Sequence, residues 1–464
     1  MRRYLRWLSP GLGVKRWLFV SVLGVAFMVL GLSLALRINL YAVIGAWLFE
    51  NVAYSAAVFQ TGPTIAGVLM LVLGTVLALW GVIRLVQSVL GTLWVPSTGV
   101  AETFYQRRLL LRGPKVAAIG GGTGIPTLLR GMKHYTSNIA AVVTVADDGG
   151  SSGRLRTEFG ILPPGDIRNC LVALADTEPL MEKLFQHRFS QGEGLAGHPF
   201  GNLFILAMTE STGDFYQAVR ASSQVLAIRG RVMPSTLDQV VLGAQLEDGR
   251  IVTGESVIGK AKSPIRRVFL ERVDRSEQDP ESEQIRPLPD ALQSIEEADV
   301  IVLGPGSLYT SIIPNLLVPG VAEAIRRSRA LKVYVCNVMT EPGETDSFTA
   351  SQHIKALIDH AGYGIVDICL VNNAPISAEL RERYAQQGAA PVVVDPAAAK
   401  LGVDLVQRNL LDSNTAYVRH DPDKLARIIG ELFLSRRVHL ERTPWEFFLL
   451  RQRILERTKQ GGKS

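Results

Sequence analysis

Two long uncharged stretches occupy the front of the chain. Residues 17–36 and 65–83 contain no charged side chain, and each is about 30 Å long as a helix, enough to cross a bilayer. A cleaved signal peptide accounts for the first stretch only, so a second span favours a membrane hairpin over residues 1–84. Basic residues precede the first span and follow the second, which predicts a multi-pass cell-membrane protein with both termini and the main domain in the cytoplasm.

Short apolar runs alternate with helical patterns from residue 116 onward. This alternation predicts a Rossmann-like α/β fold, in which a mostly parallel sheet is covered by helices on both faces. The predicted strands are residues 116–119, 139–145, 300–303, 332–336, 365–371 and 391–394. The predicted helices are residues 126–134, 167–175, 214–227, 291–297, 321–329, 351–360, 376–386 and 422–434.

Alternating strands joined by an Asp-Gly turn interrupt this rhythm, which predicts a small β-rich insertion at residues 232–273. The domain boundaries expected from these patterns are a linker at 85–114, an α/β domain at 115–434 and a basic tail at 435–464. The tail mixes arginines with large apolar residues. Either an amphipathic helix on the membrane surface or packing on the parent domain would explain it.

The net charge of +6 is concentrated at the two ends of the chain. Residues 1–16 and 435–464 each carry +5, which leaves −4 for the residues between them. This distribution argues against a basic stripe on the globular part, so nucleic acid is not the expected partner, whereas basic termini suit anionic lipid headgroups. Cys170, Cys336 and Cys369 show no metal or disulfide spacing, which predicts buried, reduced thiols.

A glycine cluster follows the first predicted strand of the α/β domain. It consists of Gly120, Gly121, Gly122, Thr123 and Gly124. Such a loop lets a ligand approach the backbone, and the helix after it directs unpaired N–H groups at a bound anion. The G-x-G-x-x-G dinucleotide pattern does not fit, whether it is started at Gly120 or at Gly122, because its last glycine would fall on Ile125 or Thr127. A phosphate site and a tight strand-to-helix turn both remain open.

Two acids and a glycine-serine run follow the second predicted strand. Asp147 and Asp148 are suited to hold a ribose or a divalent cation. The next residues form a second candidate anion nest, to which Ser151, Ser152 and Arg154 belong. A flexible polar loop is the alternative explanation.

Further polar groups follow later strands or precede helices. Asp166 is either a helix N-cap or a metal ligand, and Asn169 points toward the same expected cleft. Asn202, after His198, either binds ligand or caps a helix. Gly304, Gly306 and Ser307 repeat the strand-then-glycine design on the other half of the sheet. Residues 336–345 and 371–373 follow two more strands, and we expect all three strand ends to converge on one crevice.

Together, the motifs at residues 120–124, 146–153, 163–169 and 304–311 resemble the YvcK branch of the CofD-like superfamily. This resemblance implies a Rossmann-like domain that binds a UDP-sugar, UDP-N-acetylglucosamine, and regulates carbon flow into the cell envelope and cell shape. Members of the branch are known as gluconeogenesis factors. The resemblance also implies nucleotide contacts at Tyr384 and Arg419. The two spans are absent from the usual soluble members, which makes the hairpin an addition of this chain.

The other branch of the superfamily implies a rival function, transfer of a 2-phospholactyl-type group from a nucleotide-activated donor. Its metal-holding acids are similar to Asp147, Asp148 and Asp166, and Asp148 with Asp166 is the expected Mg²⁺ pair. Residues 164–167 lack one acid of that branch's motif. The expected partners are therefore a UDP-sugar or related nucleotide, the membrane and an unidentified regulatory protein, while a homo-oligomer stays open.

Overall fold

A computed structural model describes residues 14–35, 63–91, 110–176, 179–261, 263–273, 284–412 and 417–436. The chain divides into two compact units, Met1–Arg107 and Arg108–Ser464. The segment between the two predicted spans, residues 36–62, and nearly all of the predicted tail lie outside the described residues.

The first unit contains two long apolar helices, α1 (Val14–Ala35) and α2 (Pro63–Gly91). Their segments Trp17–Ala35 and Gly67–Leu85 are long and apolar enough to span a membrane. Large side chains face outward along both helices, among them Phe19 at 67% exposure. An apolar surface of this extent is stable against lipid tails rather than water.

Glycines spaced seven residues apart bring α1 and α2 into close contact. A Cβ added at Gly31 would lie 2.5 Å from the backbone nitrogen of Leu71, and one added at Gly74 would lie 2.6 Å from that of Met28. Larger side chains at these positions would push the helices apart. The two helices therefore pack backbone to backbone along a glycine seam, a packing that small residues also allow between membrane helices.

The second unit is built on a seven-stranded sheet in which every neighbouring pair is parallel. Its strands are β1 (Val116–Gly120), β2 (Ile139–Val143), β3 (Arg231–Pro234), β7 (Val300–Leu303), β8 (Leu331–Val335), β9 (Ile368–Asn372) and β10 (Asp404–Arg408). Their order is β10-β9-β8-β7-β1-β2-β3. The chain leaves β1 in one direction and β7 in the other, so the topological switch point lies between these two strands.

Helices cover the sheet, and its central strands are therefore buried along their whole length. The helices are α3 (Gly124–Met132), α4 (Gly150–Phe159), α5 (Gly165–Leu174), α6 (Pro179–Gln186), α7 (Phe200–Thr212), α8 (Phe215–Val225), α9 (Glu255–Ile258), α10 (Pro289–Glu296), α11 (Ile313–Leu317), α12 (Val321–Arg327), α13 (Ala350–Ala361), α14 (Ala378–Ala385) and α15 (Pro422–Arg436). A π-helical turn, Leu308–Ile312, precedes α11, and a 3₁₀ helix, Pro396–Leu401, precedes β10. The predicted Rossmann-like α/β fold is confirmed, and the three cysteines are free and buried.

A second, three-stranded antiparallel sheet contains β4 (Val240–Leu246), β5 (Ile251–Thr253) and β6 (Ile265–Arg272), in the order β5-β4-β6. It lies within the predicted β-rich insertion. Residues 232–234 of that insertion belong instead to β3 of the large sheet, where they pair with β2.

The predicted strand at residues 391–394 is wrong. Pro391 and Val393 make only isolated bridges, to Met339 and Thr349, and Pro391 has no N–H to give to a ladder. The edge strand is Asp404–Arg408, which is mostly exposed and therefore lacks the apolar run by which the buried strands were predicted.

Candidate functional site

The glycine loops after β1 and β7 touch at the carboxyl end of the sheet. A Cβ added at Gly124 would lie 2.3 Å from the carbonyl oxygen of Pro305. The loops flank the switch point, which is where open α/β sheets bind their ligands. Gly122 has a φ of +62°, a conformation that favours glycine. These contacts explain why both turns are glycine-rich.

A cleft of about 300 Å³ opens over the two loops. Predicted site residues that line it are Gly122, Thr123, Gly124, Gly306, Ser307, Tyr384 and Arg419. Residues of the loop after β8, from Asn337 to Pro342, form another wall. The loop after β9 does not contribute to the lining, since Asn372 instead bonds Ala374 and Leu410. The loops after β7 and β8 therefore line the cleft, whereas the expectation that residues 371–373 join them is wrong.

The candidate anion-binding groups at the first glycine loop come from the backbone. Helix α3 begins at Gly124, so its first N–H groups lie at the cleft floor. Thr123 makes no side-chain cap bond there. Gly120 and Gly121 lie at the base of the same loop, where the Gly120 carbonyl accepts a 3.1 Å hydrogen bond from Asn315 Nδ2. A phosphate in this position would meet N–H donors and a helix dipole.

Tyr384 fixes the backbone that carries Arg419. The Val418 N–H donates to Tyr384 Oη at 3.1 Å, and Tyr384 packs with Val418 against Met339. Arg419 is exposed at the cleft wall. Tyr384 comes from α14 and Arg419 from the segment before α15, so two distant parts of the chain build one wall of the site.

Two carboxyl groups, Glu341 and Glu344, lie next to the residues that follow β7, and Glu341 lines the cleft. Burial raises the pKa of Glu341, which lines the cleft and accepts a hydrogen bond from the Ser307 hydroxyl. Burial and the neighbouring Glu341 raise the pKa of Glu344 to about 8, and Thr310 Oγ1 donates to its Oε1 at 3.2 Å. Glu344 is therefore largely protonated at neutral pH, which limits the negative charge beside the anion site.

A second group of acids lies against the first glycine loop. Gly122 N donates to Asp166 Oδ2 at 2.6 Å, and burial raises the pKa of Asp166 to about 6. Burial, with the charges of Asp147 and Asp166, raises the pKa of Glu255 to about 9, so Glu255 is protonated at neutral pH and bonds Asp147. Glu255 is the first residue of α9, the short helix between β5 and β6 of the small sheet. Its contact with Asp147 therefore connects the insertion to the acids beside the first glycine loop.

The predicted Mg²⁺ pair does not form one ligand set. Asp148 Oδ1 accepts from Ser256 N at 2.9 Å, which caps α9, while Asp166 is bonded to Gly122. Among the residues that the structure describes, no three His, Cys, Asp or Glu side chains are arranged to hold a metal ion. As Mg²⁺ ligands, Asp148 and Asp166 stay a prediction.

Other predicted contacts bond within the protein. Asn202 Nδ2 donates to Ser151 Oγ at 3.0 Å, and Ser151 Oγ lies 2.8 Å from His198 Nδ1. Ser152 Oγ accepts from Gly165 N, Arg154 Nη2 donates to Ala196 O, and Asn169 Oδ1 accepts from Arg168. Asp148 and Arg154 line another cleft of about 600 Å³ beside α4. As ligand contacts, these residues stay predictions.

Sequence reasoning missed Glu255 and His420 as parts of the site. His420 lines the cleft, and burial lowers its pKa to about 4 despite a hydrogen bond to the Cys336 carbonyl, so its ring is neutral. Glu255 lies in the insertion, and only the fold brings it to Asp147. The position of His420 directly after Arg419 was the one available signal.

The fold and the cleft define a doubly wound α/β protein with a cleft at its topological switch point. A profile of the family described as 2-phospho-L-lactate transferase CofD matches residues 116–411. The chain belongs to this CofD-like family, within its gluconeogenesis-factor group.

The gluconeogenesis factor of Bacillus subtilis is 51% identical over 320 residues, which are 69% of this chain and 98% of that protein. A crystal structure of a Bacillus halodurans protein is similar, with a TM-score of 0.65 and 51% identity, and covers 68% of this chain and 99% of that one. Each of these matches spans fewer residues than the second unit contains.

Other relatives match nearly the whole chain. One from Clostridium acetobutylicum is 42% identical over 463 residues, 98% of both chains, and one from Nostoc sp. is 49% identical over 435 residues, 92% of both. The N-terminal region thus has counterparts in part of the group. The expectation that the hairpin is an addition of this chain alone is wrong.

Proposed function

We propose that this chain is a UDP-sugar-binding regulator, with UDP-N-acetylglucosamine as its ligand, that controls carbon flow into the cell envelope and cell shape. The observation that carries the proposal is the convergence of Gly122–Gly124, Gly306, Ser307, Tyr384 and Arg419 on one cleft at the switch point. Donors of this kind suit a diphosphate. Membership of the gluconeogenesis-factor group supports a role in carbon flow.

Within this proposal, the two glycine loops hold the phosphates and Arg419 binds the pyrophosphate or base. Thr340 and Glu341 of the loop after β8 offer hydrogen-bonding groups to the sugar. The ligand needs no turnover to act, because preferential binding to one closed form shifts the population that a regulatory protein recognises. The apolar helices α1 and α2 anchor the domain to the cytoplasmic face of the cell membrane.

Calorimetry of the full-length protein in detergent tests the ligand. UDP-N-acetylglucosamine is titrated with and without Mg²⁺, and the mixture is then analysed for products. We expect binding without a metal requirement and without turnover. Arg419→Ala should weaken binding at least tenfold, because it removes a charge-assisted contact. An unaltered affinity in Arg419→Ala would contradict this site.

The second candidate is a metal-dependent transferase of a 2-phospholactyl-type group. The description of the matched family and the acids Asp147 and Asp166 beside the glycine loop favour it. It ranks second because the carboxylates in the described residues do not converge on a cation position. Metal-dependent consumption of a nucleotide-activated donor in the same experiment would replace the regulator proposal.

Membrane anchoring has a separate test. We expect the full chain to stay in the membrane fraction after carbonate extraction. In intact cells, a membrane-impermeant thiol reagent should label a cysteine introduced on the surface of the second unit only after the membrane has been permeabilised. Release of the chain by carbonate would exclude the anchor.

A further inference from the structure

Tyr417 lies between two guanidinium groups at the edge of the cleft. The Cζ of Arg383 is 4.9 Å from the centroid of the Tyr417 ring, and the Cζ of Arg419 is 5.4 Å from it. Both distances are within the range of cation–π attraction, which extends to about 6 Å. Tyr417 is 56% exposed, so its ring does not belong to the core.

The two tyrosines of this wall constrain different parts of Arg419. Tyr384 Oη accepts from the N–H of Val418 and so holds the backbone. Tyr417 contacts the guanidinium itself. Arg383 belongs to α14, so its contact with the Tyr417 ring links this helix to the segment that carries Arg419. Without these contacts, the long and exposed side chain of Arg419 would have several accessible rotamers, and ordering it on ligand binding would cost affinity.

Stacking is compatible with anion binding by the same guanidinium. A ring contacts the flat face of an arginine, whereas the N–H donors point outward in the plane of the group. Arg419 can therefore rest on Tyr417 and still donate to phosphate oxygens in the cleft.

We propose that Tyr417 is a positioning residue, whose ring holds the guanidinium of Arg419 in place to receive the phosphates of the ligand. This inference rests on the proposed function and adds the residue that prepares its anion site. Tyr417 acts through Arg419, so its contribution disappears when Arg419 is absent.

A double-mutant cycle on the full-length protein in detergent tests this. UDP-N-acetylglucosamine and inorganic pyrophosphate are each titrated into the wild type, Tyr417→Leu, Tyr417→Phe, Arg419→Ala and Tyr417→Leu/Arg419→Ala. We expect Tyr417→Leu to weaken binding about two- to fivefold, the range for an exposed cation–π contact, and Tyr417→Phe to retain wild-type affinity. Tyr363→Leu, at a tyrosine that is 73% exposed before β9, is the matched control and should bind normally.

In the Arg419→Ala background, adding Tyr417→Leu should change nothing further. An equal loss in that background, or a Phe variant as weak as the Leu variant, would overturn the inference. Pyrophosphate binding that depends on Tyr417, without UDP-sugar binding, would support the inference while refuting the sugar-nucleotide function. Failure of the wild type to bind either probe would overturn both.

Discussion

The backbone N–H of Gly122 donates a 2.6 Å hydrogen bond to Oδ2 of Asp166, so a carboxyl group lies against the loop that we expect to receive phosphate. Burial raises the pKa of this carboxyl from 3.8 to about 6, although the Gly122 hydrogen bond opposes that rise. At neutral pH the site therefore holds a destabilising negative charge. The Gly122 N–H donor is thus satisfied within the protein by this carboxyl group.

Replacing Asp166 by Asn should stabilise the protein at pH 8. Between pH 4 and 6 the folded state binds more protons than the unfolded state, so the stability of the wild type falls as the pH rises through this window and stays reduced above it. Asn keeps an acceptor for Gly122 but does not ionise. We expect a gain of about 1–3 kcal/mol at pH 8 that vanishes near pH 4, read from melting temperatures in detergent.

The exposed Glu296 provides the control for this variant, since Glu296→Gln should leave the melting temperature unchanged at both pH values. An Asp166→Asn effect of the same size at pH 4 and pH 8 would show that the titration of Asp166 is not its cause.

Gly124→Ala should damage both stability and binding. The added Cβ would lie 2.3 Å from the carbonyl oxygen of Pro305, so the two glycine loops would have to separate. We expect a loss of about 1–3 kcal/mol, the usual cost of overpacking, together with weaker ligand binding. Gly259→Ala is the matched control, because nothing lies within 4 Å of its added Cβ. Equal melting temperatures for the two variants would contradict the close contact of the loops.

The central strands and their glycine turns were predictable because buried parallel strands are short apolar runs that end in polar, glycine-rich loops. Helix α4 was not predicted. Gly150 and Gly153 have poor helix propensity, and the helix depends on tertiary bonds from Ser151 to His198 and from Gly165 to Ser152. Local sequence carries no trace of such bonds.

The candidate site was predictable only in part, for the same reason. The loops follow from strand order, since parallel strands present their carboxyl ends at one edge. The bond from Ser256 N to Asp148 spans 108 residues, and it turns a predicted metal ligand into a cap for α9. Whether an acid binds a cation, a ligand or a backbone N–H depends on partners that only the fold supplies.

Gly31→Leu should separate the two helices of the first unit. The new side chain would begin 2.5 Å from the backbone nitrogen of Leu71, where only glycine fits. Cysteines at positions 17 and 80 can report the separation, because the rings of Trp17 and Trp80 are 5.1 Å apart. We expect the yield of a short bismaleimide cross-link between them to fall severalfold. Val72→Leu, at an outward-facing position of α2 with 53% exposure, should cross-link normally.

His420 should make the protein sensitive to acid. Burial lowers its pKa from 6.5 to about 4, so between these values the unfolded state binds more protons than the folded state. The stability that the neutral ring contributes is fully present above pH 6.5 and is lost as the pH falls through 4. His420→Asn keeps a donor near the Cys336 carbonyl but cannot titrate, so its stability should fall by about 1–3 kcal/mol less over this range than that of the wild type.

Melting temperatures measured from pH 7 to pH 4 give the two slopes, and His187→Asn, at an exposed histidine, should keep the wild-type slope. Parallel curves for His420→Asn and the wild type would mean that acid acts on a different part of the protein.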